Sequence, residues 1–159
     1  MNMKKEERYE ELCKQIKSLT EGVDNRVGAL ANTTAAMKAM FPEEFFWVGF
    51  YWVSSSGEAL QLGPFQGTVA CYTIPYGKGV CGTAWKEQKT LVVPDVEQFP
   101  GHIACSSLSR SEIVVPIFGA AGDVVGVIDI DSTELSTFDS TDRYYLEKIA
   151  KILAKELQF

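Results

Sequence analysis

The sequence predicts an α+β fold, a largely antiparallel sheet with its helices collected on one face. Apolar residues at helical three-to-four spacing are concentrated at the two ends of the chain. The middle consists mainly of short runs rich in aromatic and β-branched residues, and two pairs of those runs are joined by tight turns. Helices outside and hairpins inside make an α+β order rather than an alternating one.

Taken in order, residues 5–20 place Tyr9, Leu12, Ile16 and Leu19 on one helical stripe, with Cys13 beside it. A buried free cysteine in a helix interface is the expectation for Cys13. A second helix is expected from about Asp24, read as its N-cap, through Val27, Leu30, Thr34 and Met37, stopping before Phe41-Pro42. Phe45–Val53 (FFWVGFYWV) is apolar on both faces, as a central strand covered on both sides would be. The turn 54–57 leads into Ala59–Leu62, completing a hairpin, and 69–74 is a third strand closed by Pro75. Glycines 77, 79 and 82 enter a short helix at 83–88, and 90–93 is a brief strand. Residues 94–111 form a long polar loop, a length that usually serves function. Strands at 113–118 and 124–131 share a turn, and Asp139 is a natural N-cap for a last helix burying Tyr145, Leu146, Ile149, Ile152, Leu153 and Leu157. The free sheet face must then be covered by 75–111, leaving a pocket under the loop.

The 159 residues form a single expected domain: N-terminal helices at about 5–40, sheet and loops at about 45–132, and a C-terminal helix at about 139–157. Net charge is −6 and Lys/Arg residues do not cluster, which disfavours a nucleic-acid partner. Neither a signal-peptide h-region nor a bilayer-length apolar run is present, so a cytoplasmic protein away from the membrane is expected. Structural disulfides are then not expected, leaving buried thiols, metal ligation or redox chemistry for Cys13, Cys71, Cys81 and Cys105.

Strand alternation sends Ile128 and Ile130 to one face and Asp129 and Asp131 to the other. Two stacked carboxylates need a cation, a shared proton or solvent, and Glu112 at the mouth of the preceding strand adds a third. Such a pocket suits an ammonium group, a metal or a protonated intermediate. A structural zinc site is disfavoured, because Cys71, Cys81 and Cys105 are ten and twenty-four residues apart and His102 is the one histidine. Cys105, on the polar loop with Arg110 nearby in sequence, is the best candidate for a reactive thiol.

The segments FFWVGFYW (45–52), LGPFQG (62–67) with Cys71, GKGVCG (77–82), VPDV (93–96), FPGHIAC (99–105), SEIVVP (111–116) and DIDS (129–132) resemble the free methionine-(R)-sulfoxide reductases, single GAF-domain enzymes. The likeness runs from about residue 20 to the end. It implies a GAF fold with about six strands and the thiol-dependent reduction of free L-methionine (R)-sulfoxide. By the same resemblance Cys105 is the nucleophile, Cys71 the principal resolving cysteine and Cys81 an auxiliary one. Trp52 would line the site near the substrate methyl group, while Glu112, Asp129 and Asp131 would hold the amino group or the sulfoxide oxygen. Thioredoxin would be the reductant, with no tightly bound cofactor and no metal. The N-terminal helices are a candidate homodimer surface. The alternative is a GAF module that binds a small ligand and signals without catalysis, disfavoured by the lack of room for an output domain and by the three cysteines.

Overall fold

A computed structural model describes residues 2–159. The elements are α1 (Lys5–Thr20), α2 (Arg26–Met40), β1 (Trp47–Val53), β2 (Ala59–Gln66), β3 (Thr73–Pro75), α3 (Gly79–Glu87), β4 (Leu91–Val93), a 3-10 turn at Val96–Gln98, β5 (Ser111–Phe118), β6 (Val124–Ser132) and α4 (Ser140–Glu156). The six strands form one sheet in the order β3-β2-β1-β6-β5-β4, with every neighbouring pair antiparallel.

One face packs on α1, α2 and α4. Val48, Phe50, Ile113, Val115, Ile117, Ile128 and Ile130 meet Tyr9, Leu12, Ile16, Met37, Leu146, Ile149 and Leu153 there. Each such side chain contributes about 1.5–3 kcal/mol when fully removed from water. Cys13 lies in this core as a free thiol. The stripe of α1 is tied to α4 through Asp142, which accepts from Lys5 Nζ at 2.5 Å and from the buried Tyr9 hydroxyl at 2.5 Å. Asp139 caps α4 and Asp142 returns the bond to its backbone, a reciprocal pair that satisfies N–H groups at the helix start.

The other face is covered by α3 and the segment after β4. Trp47, Tyr51, Val114 and Val127 meet Val80, Cys81, Ala84 and Trp85 of α3, with Val96, Phe99 and Ile103 closing the edge. The second helix differs in detail from expectation. Asn25, not Asp24, is its N-cap, with its side chain accepting from Gly28 N–H at 2.9 Å. Its buried stripe includes Ala29 and Thr33, while Val27 is exposed. The third strand begins at Thr73 and the short helix at Gly79, because the glycine-rich turn is already part of the helix start.

Candidate active site

The pairing of β5 with β6 puts Glu112 opposite Asp131 and Val114 opposite Asp129. Directly paired residues of an antiparallel ladder share a face, so all three carboxyl groups project under α3, away from Ile128 and Ile130. Glu112 and Asp129 are only 5% and 6% exposed, and Asp131 is half-buried. Burial pushes all three carboxyls well above the usual range, and their mutual repulsion adds to it. Asp129 Oδ1 is the one buried side-chain oxygen or nitrogen without a hydrogen-bond partner among the described residues. A buried acceptor left unpaired costs about 1–3 kcal/mol, a cost a ligand donor would remove. His102 Nε2 stands 3.6 Å from Glu112 Oε1. Burial lowers the imidazole below its ordinary value despite the pull of Asp129, and burial raises the Glu112 carboxyl, so both shifts disfavour an ion pair here.

Cys71 and Cys105 are joined as a disulfide with Cα atoms 5.6 Å apart, closing a separation of 34 residues. Cys105 is exposed and Cys71 half-buried. Cys81 is a free thiol on α3, only 3% exposed, its pKa raised by burial first and then by the facing carboxylates. The turn into α3 explains how it gets there. Gly77 and Gly79 sit at φ +73° and +62°, where L side chains are strained, and a Cβ at Gly82 would stand 2.6 Å from the Pro75 carbonyl. This close entry brings ligand atoms of Cys81, Glu112 and Asp129 within 4.8 Å of one another.

A cavity of about 40 Å³ lies between these groups and the disulfide loop. Its aromatic wall is Trp47 and Tyr51, whose polar ends are turned away to backbone carbonyls: Nε1–H to Thr68 at 2.9 Å and the hydroxyl to Cys71 at 3.0 Å. Trp52 is not part of it, which corrects the sequence expectation. The pairing Trp47↔Asp131, Gly49↔Asp129 and Tyr51↔Val127 puts the odd residues of β1 on the acidic face. Trp52 therefore points to the helical face, stacked on Phe50 and Phe159 with ring centroids 5.5 and 4.8 Å away. Trp47, Tyr51 and His102 are lining residues that the sequence reading passed over; registering β1 against the aspartates of β6 is the signal that finds the two aromatics. Arg110 is exposed, and its backbone bonds to Val96 and Ser132 are what anchor the loop. A larger cleft of about 570 Å³, between α4 and the end of β5, contains none of these cysteines or carboxylates.

Residues 30–158 match the family model described as GAF domain. The chain is 56% identical to GAF domain-containing protein A of Dictyostelium discoideum over 149 residues, covering 94% of this chain and 92% of that one. It is 44% identical to free methionine-R-sulfoxide reductase of Saccharomyces cerevisiae, covering 99% of this chain and 90% of the yeast protein. Among solved structures, free methionine-R-sulfoxide reductase from Neisseria meningitidis in complex with its substrate superposes with a TM-score of 0.94 at 50% identity, over 99% of this chain and 92% of that one.

Proposed function

This chain belongs to the GAF-domain free methionine-R-sulfoxide reductases, and from that membership we propose how its own residues reduce free L-methionine (R)-sulfoxide to L-methionine. The observation that carries the reading is the Cys71–Cys105 disulfide at the rim of a cavity floored by three carboxyl groups.

In the reduced enzyme Cys105 attacks the sulfoxide sulfur as a thiolate. A carboxyl group delivers a proton to the sulfoxide oxygen, and methionine leaves with Cys105 as the sulfenic acid. Cys71 then attacks that sulfenic sulfur, water departs and the disulfide forms. Burial and crowding of Glu112, Asp129 and Asp131 shift all three carboxyls toward the protonated form, the direction a general acid needs. The partnerless Asp129 Oδ1 is the acceptor for the substrate's ammonium group. Trp47 and Tyr51 receive the methylthio end, a contact of apolar and sulfur atoms with aromatic rings. Cys81, buried in the cavity wall, is the reserve thiol.

An external dithiol protein of the thioredoxin class restores the enzyme by exchange. Exposure of Cys105 favours this, as do the exposed apolar side chains Val69, Tyr72 and Leu108 close in sequence to the two cysteines. The chain works as one domain in the cytoplasm, where such a reductant is available; among the described residues no helix is long and apolar enough to cross a membrane. The homodimer reading for the N-terminal helices rests on sequence alone.

The test is NADPH consumption with thioredoxin and thioredoxin reductase on separated epimers. Turnover on the free R epimer and none on the S epimer is expected. Equal rates on both, or none on R, would overturn the reading.

A further inference from the structure

We propose that the floor of the cavity is also a binding site for a thiophilic divalent cation of the zinc class, ligated by the Cys81 thiolate and the Glu112 and Asp129 carboxylates. Occupancy of that site excludes the substrate ammonium; this second part rests on the function proposed above, the first does not.

The ligand atoms of these three buried residues already lie within 4.8 Å of one another. Around a tetrahedral zinc, with bonds of about 2.0–2.3 Å, ligand atoms stand about 3.5 Å apart. An independent observation is the Asp129 Oδ1 atom, partnerless on a side chain that is 6% exposed and lines the cavity. Trp47 Nε1 and the Tyr51 hydroxyl do not serve it, since they are committed to the carbonyls of Thr68 and Cys71. Cys81, Glu112 and Asp129 leave the fourth position to a water, the pattern of open three-ligand zinc sites.

Ligand chemistry selects the ion. A buried thiolate beside two carboxylates forms a borderline-soft set, which suits Zn²⁺ or Co²⁺ and not the oxygen-seeking Mg²⁺ or Ca²⁺. The cavity of about 40 Å³ exceeds the roughly 10–15 Å³ that one water-sized occupant needs. Ligation converts the Cys81 thiol to thiolate and releases its proton, with that of any protonated carboxyl, to solvent. No atom changes oxidation state.

The oxidised protein isolates this site, because the disulfide removes Cys71 and Cys105 as ligands and leaves only Cys13 and Cys81 as free thiols. Titration of the full-length oxidised protein with Co²⁺ is expected to produce a thiolate-to-cobalt charge-transfer band and tetrahedral visible bands at one equivalent. Cys13→Ser should keep the band and Cys81→Ser should lose it. Asp129→Asn, which preserves shape, should weaken Co²⁺ binding at least tenfold. A missing band in the unmutated protein, or an undiminished one in Cys81→Ser, would overturn the site. In turnover assays Zn²⁺ should inhibit, with an inhibition constant at least tenfold weaker in Cys81→Ser relative to that variant's own uninhibited rate. Equal zinc sensitivity would place inhibition on the reactive thiols and overturn the competition. A protein without reductase activity would sink the functional reading and leave the cobalt experiment to decide the metal site.

Discussion

Glu112 and Asp131 are direct partners across the β5–β6 ladder, so their carboxyl groups leave the same sheet face from neighbouring strands about 4.8 Å apart. Asp129 stands two residues along the same strand face, opposite Val114. In the proposed mechanism their common environment turns ordinary acidic residues into a proton donor and an ammonium receptor, because burial disfavours the charge on each and each disfavours the charge on the next.

Cys105→Ser should abolish turnover, since a hydroxyl is a far weaker nucleophile than a thiolate at neutral pH. Cys13→Ser, altering a thiol in the helical core, should leave kcat/KM unchanged. Steady-state assays of the two variants with thioredoxin check the pair. Near-normal rates in Cys105→Ser would end the assignment.

Cys71→Ser should release about one methionine per chain in a single turnover and then stop cycling with thioredoxin, because the sulfenic acid on Cys105 has lost its nearest partner. Quench-flow product counting and trapping with a sulfenic-acid reagent measure this. Full-rate cycling would make Cys81 the main resolving thiol.

Free methionine (R)-sulfoxide should be preferred over its N-acetylated form. An ammonium on Asp129 makes a charge-assisted hydrogen bond, and its replacement by an amide forfeits about 2–3 kcal/mol, up to roughly a hundredfold in kcat/KM. Asp129→Ala should narrow the gap by lowering kcat/KM on the free substrate. Comparable kcat/KM for both substrates in the unmutated protein would show that Asp129 does not read the ammonium.

Trp52→Leu should leave KM within twofold while lowering stability by about 1–3 kcal/mol, because Trp52 packs on Phe50 and Phe159 across the sheet from the cavity. Urea unfolding alongside kinetics separates the two effects. A raised KM with unchanged stability would return Trp52 to the substrate side.

The Arg8–Glu44 pair, with Nη1 to Oε2 at 2.7 Å, should give an acid-sensitive share of stability. Burial pushes the Glu44 carboxyl up, but the hydrogen bond and charge of Arg8 outweigh it and the net shift is downward. A carboxyl depressed in the folded state stabilises above its unfolded pKa of about 4.3, and that contribution is lost as pH falls through the folded value. The stability difference between the unmutated protein and Glu44→Gln should therefore be full at pH 6 and shrink steadily below about pH 4. A difference constant across that range would show that the pair contributes no linkage.

Local periodicity was enough to read the helices, the two hairpins and the orientation of Asp129 and Asp131, because those depend on residues a few positions apart. The strand 124–131 could be phased from sequence since its two faces differ: isoleucine on one, aspartate on the other. Phe45–Val53 could not, since it is apolar on both faces and alternation carries no inward or outward sign; only its pairing with β6 put Trp47 and Tyr51 toward the cavity and Trp52 away from it. The same limit applies wherever the deciding contact spans distant segments. The link between Cys71 and Cys105, the approach of Cys81 to Glu112 and Asp129, and the partnerless Asp129 oxygen all arise when α3 and the loop beyond β4 close over the sheet. Composition and spacing identify the residue types available, whereas burial and distance, which decide their protonation and partners, exist only once the chain has folded.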